Sequence, residues 1–278
     1  MTVPTKNLAD GTTLPAVGLG TYPLKGPAAT AAVLDALSAG YRLIDTAVNY
    51  RNETEVGEAL ARSGLAREEV MLTTKLPGRD HGYEQTLASF EGSRARLGVE
   101  VVDLYLIHWP NPSVDRYVDS CRAMVELRDQ GRVRSIGVSN FTEAHLTRLG
   151  EEVGVLPAVN QVELHPRFPQ VGLSNFHAAQ DILTESWNPL GRAGDVLAEP
   201  AVAAPARALG VTPAQVVLRW QVQLGSVPIP KSADPARQAQ NLDVFGFELT
   251  DEQMGAITAL GHPDGRLFGA DPHHHEEQ

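Results

Sequence analysis

The 278 residues carry a formal charge of −11 and are 42% hydrophobic. That is enough for one large packed core, and too acidic for a general binder of nucleic acid or anionic membrane, which needs a basic face. One cysteine, Cys121, excludes an intrachain disulfide and suits a reducing compartment. No apolar run approaches the ~18 residues of a membrane span, and Met1-Thr2-Val3-Pro4 does not begin a signal peptide, so a soluble cytoplasmic protein is expected.

In chain order, Asp10-Gly11 between short β-prone stretches predicts a hairpin closing one end of the domain. Leu14 to Leu19 reads as a strand running into Gly20-Thr21-Tyr22. Gly18-Leu19-Gly20 is not a dinucleotide fingerprint, because the third glycine is missing and Pro23 follows. Thr30 to Ala39 is a helix with Val33, Leu34 and Leu37 on one face, stopped by Gly40. Tyr41 to Ile44 is a buried strand. Asp45 stands where it should end, and Tyr50 follows five residues on. The next helix, Glu53 to Ser63, has Asn52 as its expected N-cap, with Glu55 completing a capping-box-like pair.

The alternation continues. Val70 to Lys75 is a strand ending in lysine, Tyr83 to Leu97 a helix, Val102 to His108 a strand ending in histidine, and Val118 to Gln130 a helix. Val133 to Val138 ends in Ser139-Asn140, and Thr142 caps the helix after it. Ala158 to Leu164 is a strand carrying Gln161 and Glu163, and Val171 to Gln180 a helix. Asp181 to Trp187 is a strand followed by Asn188-Pro189. Two helical pieces, about 201–209 and 212–224, precede a proline-interrupted strand, Ser226 to Pro230, that runs into Lys231-Ser232. Pro235 to Leu242 and Thr250 to Leu260 are the last helices. Eight strands each followed by helix, with no linker or change of composition, predict a single α/β domain over 1–278. Its form is a closed (β/α)8 TIM barrel with an N-terminal β-hairpin and extra C-terminal helices; a doubly wound sheet is the alternative.

Barrels place their sites at the C-terminal strand ends. Here those ends carry Thr21-Tyr22, Asp45, Lys75, His108, Ser139-Asn140, Gln161, Trp187-Asn188 and Lys231-Ser232. Each has a bland reading: Asp45 a turn cap, Lys75 a rim charge, His108 a hydrogen-bonded core histidine. Together Asp45, Tyr50, Lys75 and His108 make a proton-donating set. A free phenol titrates near ~10. A lysine ammonium beside it is expected to lower that value, and a carboxylate holds the lysine charged. A histidine orients a carbonyl oxygen. Such a set suits carbonyl reduction, which needs a hydride donor. Trp187 offers a flat face to a nicotinamide ring, and Ser139, Asn140 and Gln161 offer hydrogen bonds matching its amide. Lys231 and Arg237, beside a helix start, suit a phosphate; solvated surface charge is the other reading of both.

The sequence resembles an aldo-keto reductase along nearly its whole length. The matching stretches are Gly40 to Glu53, Leu104 to Pro110, Ile136 to Phe141, Asn160 to Pro166, and Ile229 to Ser232 with Asn241. Glu185 to Gly191 and Asn241 to Phe245 are similar to the short-looped bacterial group that includes 2,5-diketo-D-gluconate reductases. The resemblance implies NADPH bound across the barrel mouth without a Rossmann fold. It implies Tyr50 as proton donor, Asp45 and Lys75 as its tuners, and His108 orienting the carbonyl. Lys231, Ser232 and Arg237 would hold the adenosine 2′-phosphate, which favours NADPH over NADH. The implied cofactor contacts extend to Gly20, Thr21 and Tyr22, to Asn188, Leu190 and Gly191 near the pyrophosphate, and to Ala233, Gln240 and Asn241 toward the adenine. Substrate is expected against Tyr22, His108 and Trp109.

Against the family pattern, Pro77-Gly78 stands where many members carry Trp-Asn, Asn188 where serine or glycine is common, and Gln240 where glutamate is common. The tail holds His273-His274-His275, readable as a metal ligand run or as a cover for the substrate pocket. The partner expected is a small carbonyl compound, possessed by a monomer without resident metal; α-dicarbonyls and keto-sugars are the candidates. A non-enzymatic NADP(H)-binding sensor on the same scaffold is the rival reading, and a metal-dependent barrel hydrolase lacks strand-end ligand clusters.

Overall fold

The computed structural model describes residues 3–277. An antiparallel hairpin, β1 (Thr5–Asn7) and β2 (Thr13–Pro15), opens the chain, with Thr5 opposite Pro15. The run expected as one strand from Leu14 to Leu19 is therefore divided. Its start pairs in the hairpin, and its end is β3 (Leu19–Gly20) of a second sheet. The ladder runs one bond past Pro15, with Ala16 N donating to Pro4 O (2.8 Å), and stops where Pro4 has no N–H to return.

The second sheet contains β3, β4 (Leu43–Asp45), β5 (Met71–Leu76), β6 (Val102–Ile107), β7 (Val133–Ser139), β8 (Val159–Glu163), β9 (Leu183–Trp187) and β10 (Val227–Pro228). Neighbours in sequence are neighbours in the sheet, and every pair is parallel. Its two edges meet: Gly18 N donates to Pro228 O (3.0 Å) and Gly20 N to Pro230 O (3.1 Å). Gly20 matters to that seam, since a Cβ there would lie 3.1 Å from Ile229 O. This is the expected (β/α)8 arrangement. Helices α1 (Gly26–Ala39), α2 (Glu53–Arg62), α3 (Tyr83–Leu97), α4 (Tyr117–Asp129), α5 (Glu143–Val153) and α6 (Val171–Ala179) follow the first six strands of the barrel. Then α7 (Pro200–Leu209) and α8 (Pro213–Gln223) lie between β9 and β10, and α9 (Pro235–Leu242) and α10 (Asp251–Thr258) are the last α-helices among the described residues. Helix α1 starts four residues before the expected Thr30, with Pro27 in its first turn, where a missing N–H costs nothing.

The period-two rule of strands places the site. On β4, Ile44 faces the helices, whereas Leu43 packs with Leu104 and Leu106 of β6, Val159 of β8 and Val227 inside the barrel. Leu8 and Leu14 close that inner cluster from the hairpin end. Two residues further along the same inward rows come Asp45, His108, Gln161 and Glu185, and then Trp187. The barrel thus has an apolar floor and a polar upper layer.

One local expectation fails. Asn52 stands at the N-cap of α2, but its side chain does not cap the helix. Its Nδ2 donates to Leu24 O (2.9 Å) and Thr21 O (3.3 Å), and its Oδ1 accepts from Thr46 Oγ1 (2.6 Å). Glu55 accepts from Gly26 N instead of completing a capping box. Asn52 is fully buried, and three partners from the β3 and β4 loops outweigh one helix N–H. Thr142 does cap α5, accepting from His145 N.

Helix α2 crosses α3 closely at Gly57, where an added Cβ would overlap Leu97 O, whereas Gly255 on α10 faces open space. Gly57→Ala is expected to cost about 1–3 kcal/mol and Gly255→Ala to add about 0.5–1 kcal/mol. Urea midpoints should move in opposite directions; the same small shift in both would contradict this packing.

Candidate active site

The inward rows converge on the Lys75 ammonium, which is fully buried near the end of β5. Its Nζ donates to Asp45 Oδ1 (2.6 Å) and Oδ2 (2.8 Å), to Thr46 O (3.0 Å) and to Tyr50 OH (3.3 Å). Asp45 ends β4, and its side chain is 5% exposed. Tyr50 lies in a short turn of 3₁₀ helix, Val48–Tyr50, just beyond. The Tyr50 ring sits 5.2 Å from that of Tyr22 and 5.7 Å, edge-on, from His108. All four residues of the expected proton-donating set therefore share one place. Tyr22 is 62% exposed at the rim, and Trp109, next in the chain to His108, is buried.

Electrostatics here depart from the expectation for Tyr50. Burial pushes its phenol up to about 12; Lys75 pulls it down, and Asp45 pushes against that. The phenol is thus a bound proton at neutral pH. For Lys75, burial alone would lower the ammonium, but Asp45 and Tyr50 outweigh it and hold the group above its ordinary value.

Sequence reasoning gave Glu185 no role. It is fully buried on β9 and continues the network: Gln161 Nε2 donates both to Asp45 Oδ2 (2.8 Å) and to Glu185 Oε2 (2.9 Å). Burial pushes the Glu185 carboxyl up to about 8, with Asp45 adding to the rise. The signal was available, since Glu185 lies two positions before Trp187 on an inward row. Glu277 had no local signal. It brings the tail to the mouth, with Oε1 2.6 Å from His108 Nδ1, as the pocket-cover reading of the tail expects. The described residues contain no cluster of three or more potential metal ligands, so the His273–His275 run forms none.

The expected cofactor residues line the rest of the mouth. Trp187 is half-buried, and its Nε1 donates to Asn140 Oδ1 (2.8 Å), which fixes the ring. Asn140 Nδ2 is engaged by His108 O and Ser139 Oγ (3.0 Å each), and Ser139 Oγ donates to Gln161 O (2.8 Å). The amide-matching set is thus locked by its own hydrogen bonds. Thr21 Oγ1 donates to Asp45 O (2.9 Å), which ties Gly20-Thr21 to the same ring of groups. Beyond Trp187, Asn188 and Gly191 both have positive φ (52° and 55°), turning the chain sharply around Leu190.

Lys231, Ala233, Arg237 and Gln240 are exposed, and Ser232 and Asn241 buried, on the loop into α9 and on that helix. Ser232 Oγ is occupied within the loop, donating to Asp234 O and accepting from Asp234 N. Arg237 lies 3.6 Å from Asp234. Lys231 and Arg237 do not touch the buried set; they form a separate cationic end of the rim. An aromatic face held rigid at one end and exposed cations at a helix start at the other fit an extended dinucleotide phosphate. A cleft of about 450 Å³, lined by residues such as Arg42, Met71, Asp103 and Arg134, lies at the opposite strand ends, away from this chemistry.

Comparison with known proteins bears on this mouth. The profile of the aldo/keto reductase family matches residues 16–262. A Corynebacterium protein named 2,5-diketo-D-gluconic acid reductase B is 55% identical over 275 residues, covering 99% of both chains. A Mycolicibacterium smegmatis aldo-keto reductase is 52% identical, covering 97% of each. Among solved structures, apo Gox0644 superposes with a TM-score of 0.92 at 47% identity, covering 98% of each chain. A Gox0644 mutant in complex with NADPH gives 0.93 at 45% identity over the same shares.

The raised Glu185 carboxyl has a consequence for stability. Between its ordinary 4.5 and about 8, the folded protein keeps a proton that the unfolded chain has lost. Stability from this group is therefore full below pH 4.5 and declines as pH rises through that window. Glu185→Gln should melt like the native protein near pH 5. Near pH 9 it should be more stable by roughly 1–4 kcal/mol, and an identical pH profile for the two would refute the assignment.

Proposed function

The chain belongs to the aldo/keto reductase family, and we propose that it reduces an aldehyde or ketone with NADPH, the proton coming from Tyr50. The observation that carries the roles is the contact of Lys75 Nζ with both Asp45 and Tyr50 OH at the end of an otherwise apolar barrel. Because Lys75 donates to the phenolic oxygen, the phenol's own proton is free to point outward to a carbonyl oxygen. When charge develops on that oxygen, the Tyr50 O–H bond breaks and a new O–H bond forms on the product. The phenolate left behind faces the ammonium, which is where its charge is best stabilised. His108 holds the carbonyl oxygen on the other side. NADPH, when bound, supplies the hydride that reaches the carbonyl carbon.

The chain's residues divide the holding of that cofactor. Trp187 presents its ring to the nicotinamide, with Ser139, Asn140 and Gln161 around its amide. Gly20, Thr21, Asn188, Leu190 and Gly191 lie along the middle. Lys231, Ser232 and Arg237 take the 2′-phosphate, and Ala233, Gln240 and Asn241 lie toward the adenine. The substrate lies against Tyr22, His108 and Trp109. The name of the Corynebacterium relative supports keto-sugars as the compounds to try first, with α-dicarbonyls as the second candidates. The same reading makes residues 1–278 one catalytic domain, working as a cytoplasmic monomer. Cys121 suits a reducing compartment in which it has no task, its buried thiol pushed up to about 12, and sedimentation at micromolar concentration checks the monomer.

Tyr50→Phe is expected to cut kcat by roughly 10²–10⁴ while the NADPH dissociation constant, read from protein fluorescence, stays within about twofold. Native-like turnover in that variant removes Tyr50 from its role. Lys231→Ala should lose most of the preference for NADPH over NADH, with kcat little changed. A preference that survives places the 2′-phosphate elsewhere.

A further inference from the structure

The acidic end of the chain is not used by this chemistry, yet it is built into the site. Its main chain is held by one amide: Asn111 Nδ2 donates to Glu277 O (2.7 Å), and Glu277 N donates to Asn111 Oδ1 (3.1 Å). Glu276 Oε1 accepts from Ser113 N (2.7 Å). The Glu277 carboxylate, 11% exposed, then turns inward. Its Oε2 accepts from Gly78 N (3.0 Å) and its Oε1 from Asn49 Nδ2 (2.7 Å). Arg79 in turn fixes Asn49 by donating to its Oδ1. Gly78 is a condition for this seat, because a Cβ there would overlap both Asn111 Nδ2 and Glu277 O. The tail thereby touches two of the three side chains expected around the substrate. His275 packs on Trp109 with ring centroids 4.1 Å apart, and Glu277 Oε1 lies 2.6 Å from the His108 ring.

We propose that Glu277 determines specificity by charge: its carboxylate sets the site to carbonyl compounds without a charge and against those that carry a carboxylate of their own. The inference rests on the reading of this mouth as a carbonyl reductase site, and within that reading it names uncharged keto-sugars and dicarbonyls as the substrate class. Both oxygens of Glu277 accept from N–H groups, which is the pattern of an ionised carboxylate. The Gly78 and Asn49 donors are neutral, so they orient the group and leave its charge in place. That charge is felt where the carbonyl oxygen takes its proton. Burial raises the Tyr50 phenol most, and the Glu277 charge adds to the rise. A second carboxylate in the same mouth meets repulsion across a few ångströms with little water between, where charges act far more strongly than in bulk solvent. It also finds the Gly78 N–H and the Asn49 amide already taken. Rejection by a fixed like charge and by occupied donors is an economical route to specificity, since nothing in the contacts to an uncharged substrate has to change.

The test uses pairs of aldehydes matched in shape and different in charge: 3- and 4-carboxybenzaldehyde, and 3- and 4-nitrobenzaldehyde. The full chain, E277Q and E277K are assayed with each at saturating NADPH. The quantity read is the ratio of kcat/KM for the carboxy compound to that for its nitro counterpart. The intrinsic reactivity of each aldehyde cancels when this ratio is compared between variants. Assays run in 0.5 M KCl, which screens the long-range field of the acidic protein but acts much less on a carboxylate as buried as Glu277. The ratio should rise at least tenfold in E277Q, chiefly through a lower KM for the carboxy compound, and at least as far in E277K. A ratio that stays within twofold of native in both variants overturns the proposal. So does an equal gain for both members of a pair, which would make Glu277 a plug without charge selection. In either case turnover of the nitrobenzaldehydes by the native chain leaves the reductase reading standing. If the native chain and both variants reduce none of the four, that reading falls and the proposal with it.

Discussion

The buried pair of Lys75 and Asp45 constrains everything around it. Removing two charges from water costs several kcal/mol per ion, and their attraction offsets this only with close geometry and with the remaining donors and lone pairs satisfied. Here the ammonium meets both carboxylate oxygens, Thr46 O and Tyr50 OH, and the carboxylate also receives Gln161. Those partners come from β4, β5, β8 and the loop after β4. Adjacent parallel strands bring the first two together, with Asp45 opposite Thr73, two residues before Lys75. Gln161 arrives from across the barrel, so the pair needs the closed sheet. The apolar floor of Leu43, Leu104, Leu106 and Val159 keeps water from below.

What Tyr50 experiences follows from that pairing. Seen from the phenol, Lys75 and Asp45 act in opposite directions, and the ammonium, which touches the phenolic oxygen, is the stronger of the two. Burial then decides the resting state, and the proton stays on the phenol. Distance to a lysine, which is all that strand-end spacing conveys, gives the correct partner and the wrong direction of shift. Such an acid is weak at rest and becomes effective only when an oxygen beside it gains charge, which is the property a proton donor in carbonyl reduction needs.

The strands and their polar ends are legible in sequence because both follow local rules: period two along each strand, and a polar residue where the apolar run stops. Lys75, His108 and Asp45 are found that way. Asn52 is misread for the opposite reason. Its local pattern is that of a cap, but its partners are Thr21, Leu24 and Thr46, and only the fold brings the first two near. The run from Leu14 to Leu19 is misread because one apolar stretch serves two sheets. Glu277 is beyond any local rule, since Asn49, one of its partners, lies 228 residues away.

Chemistry and pocket wall are therefore made from different material. The proton donor and its tuners sit on or beside strands whose register cannot slip without turning Asp45 and Lys75 out of the barrel. The wall over Tyr50 is made by loops and by the chain's own end, whose residues are free to change without disturbing the buried pair. Gly78 is where the two meet. Its missing side chain admits Glu277 O and the Asn111 amide, and its N–H holds the Glu277 carboxylate. A bulkier residue at 78 would exclude the tail and supply a wall of its own. The seat of Glu277 and the wall beside it thus both depend on position 78.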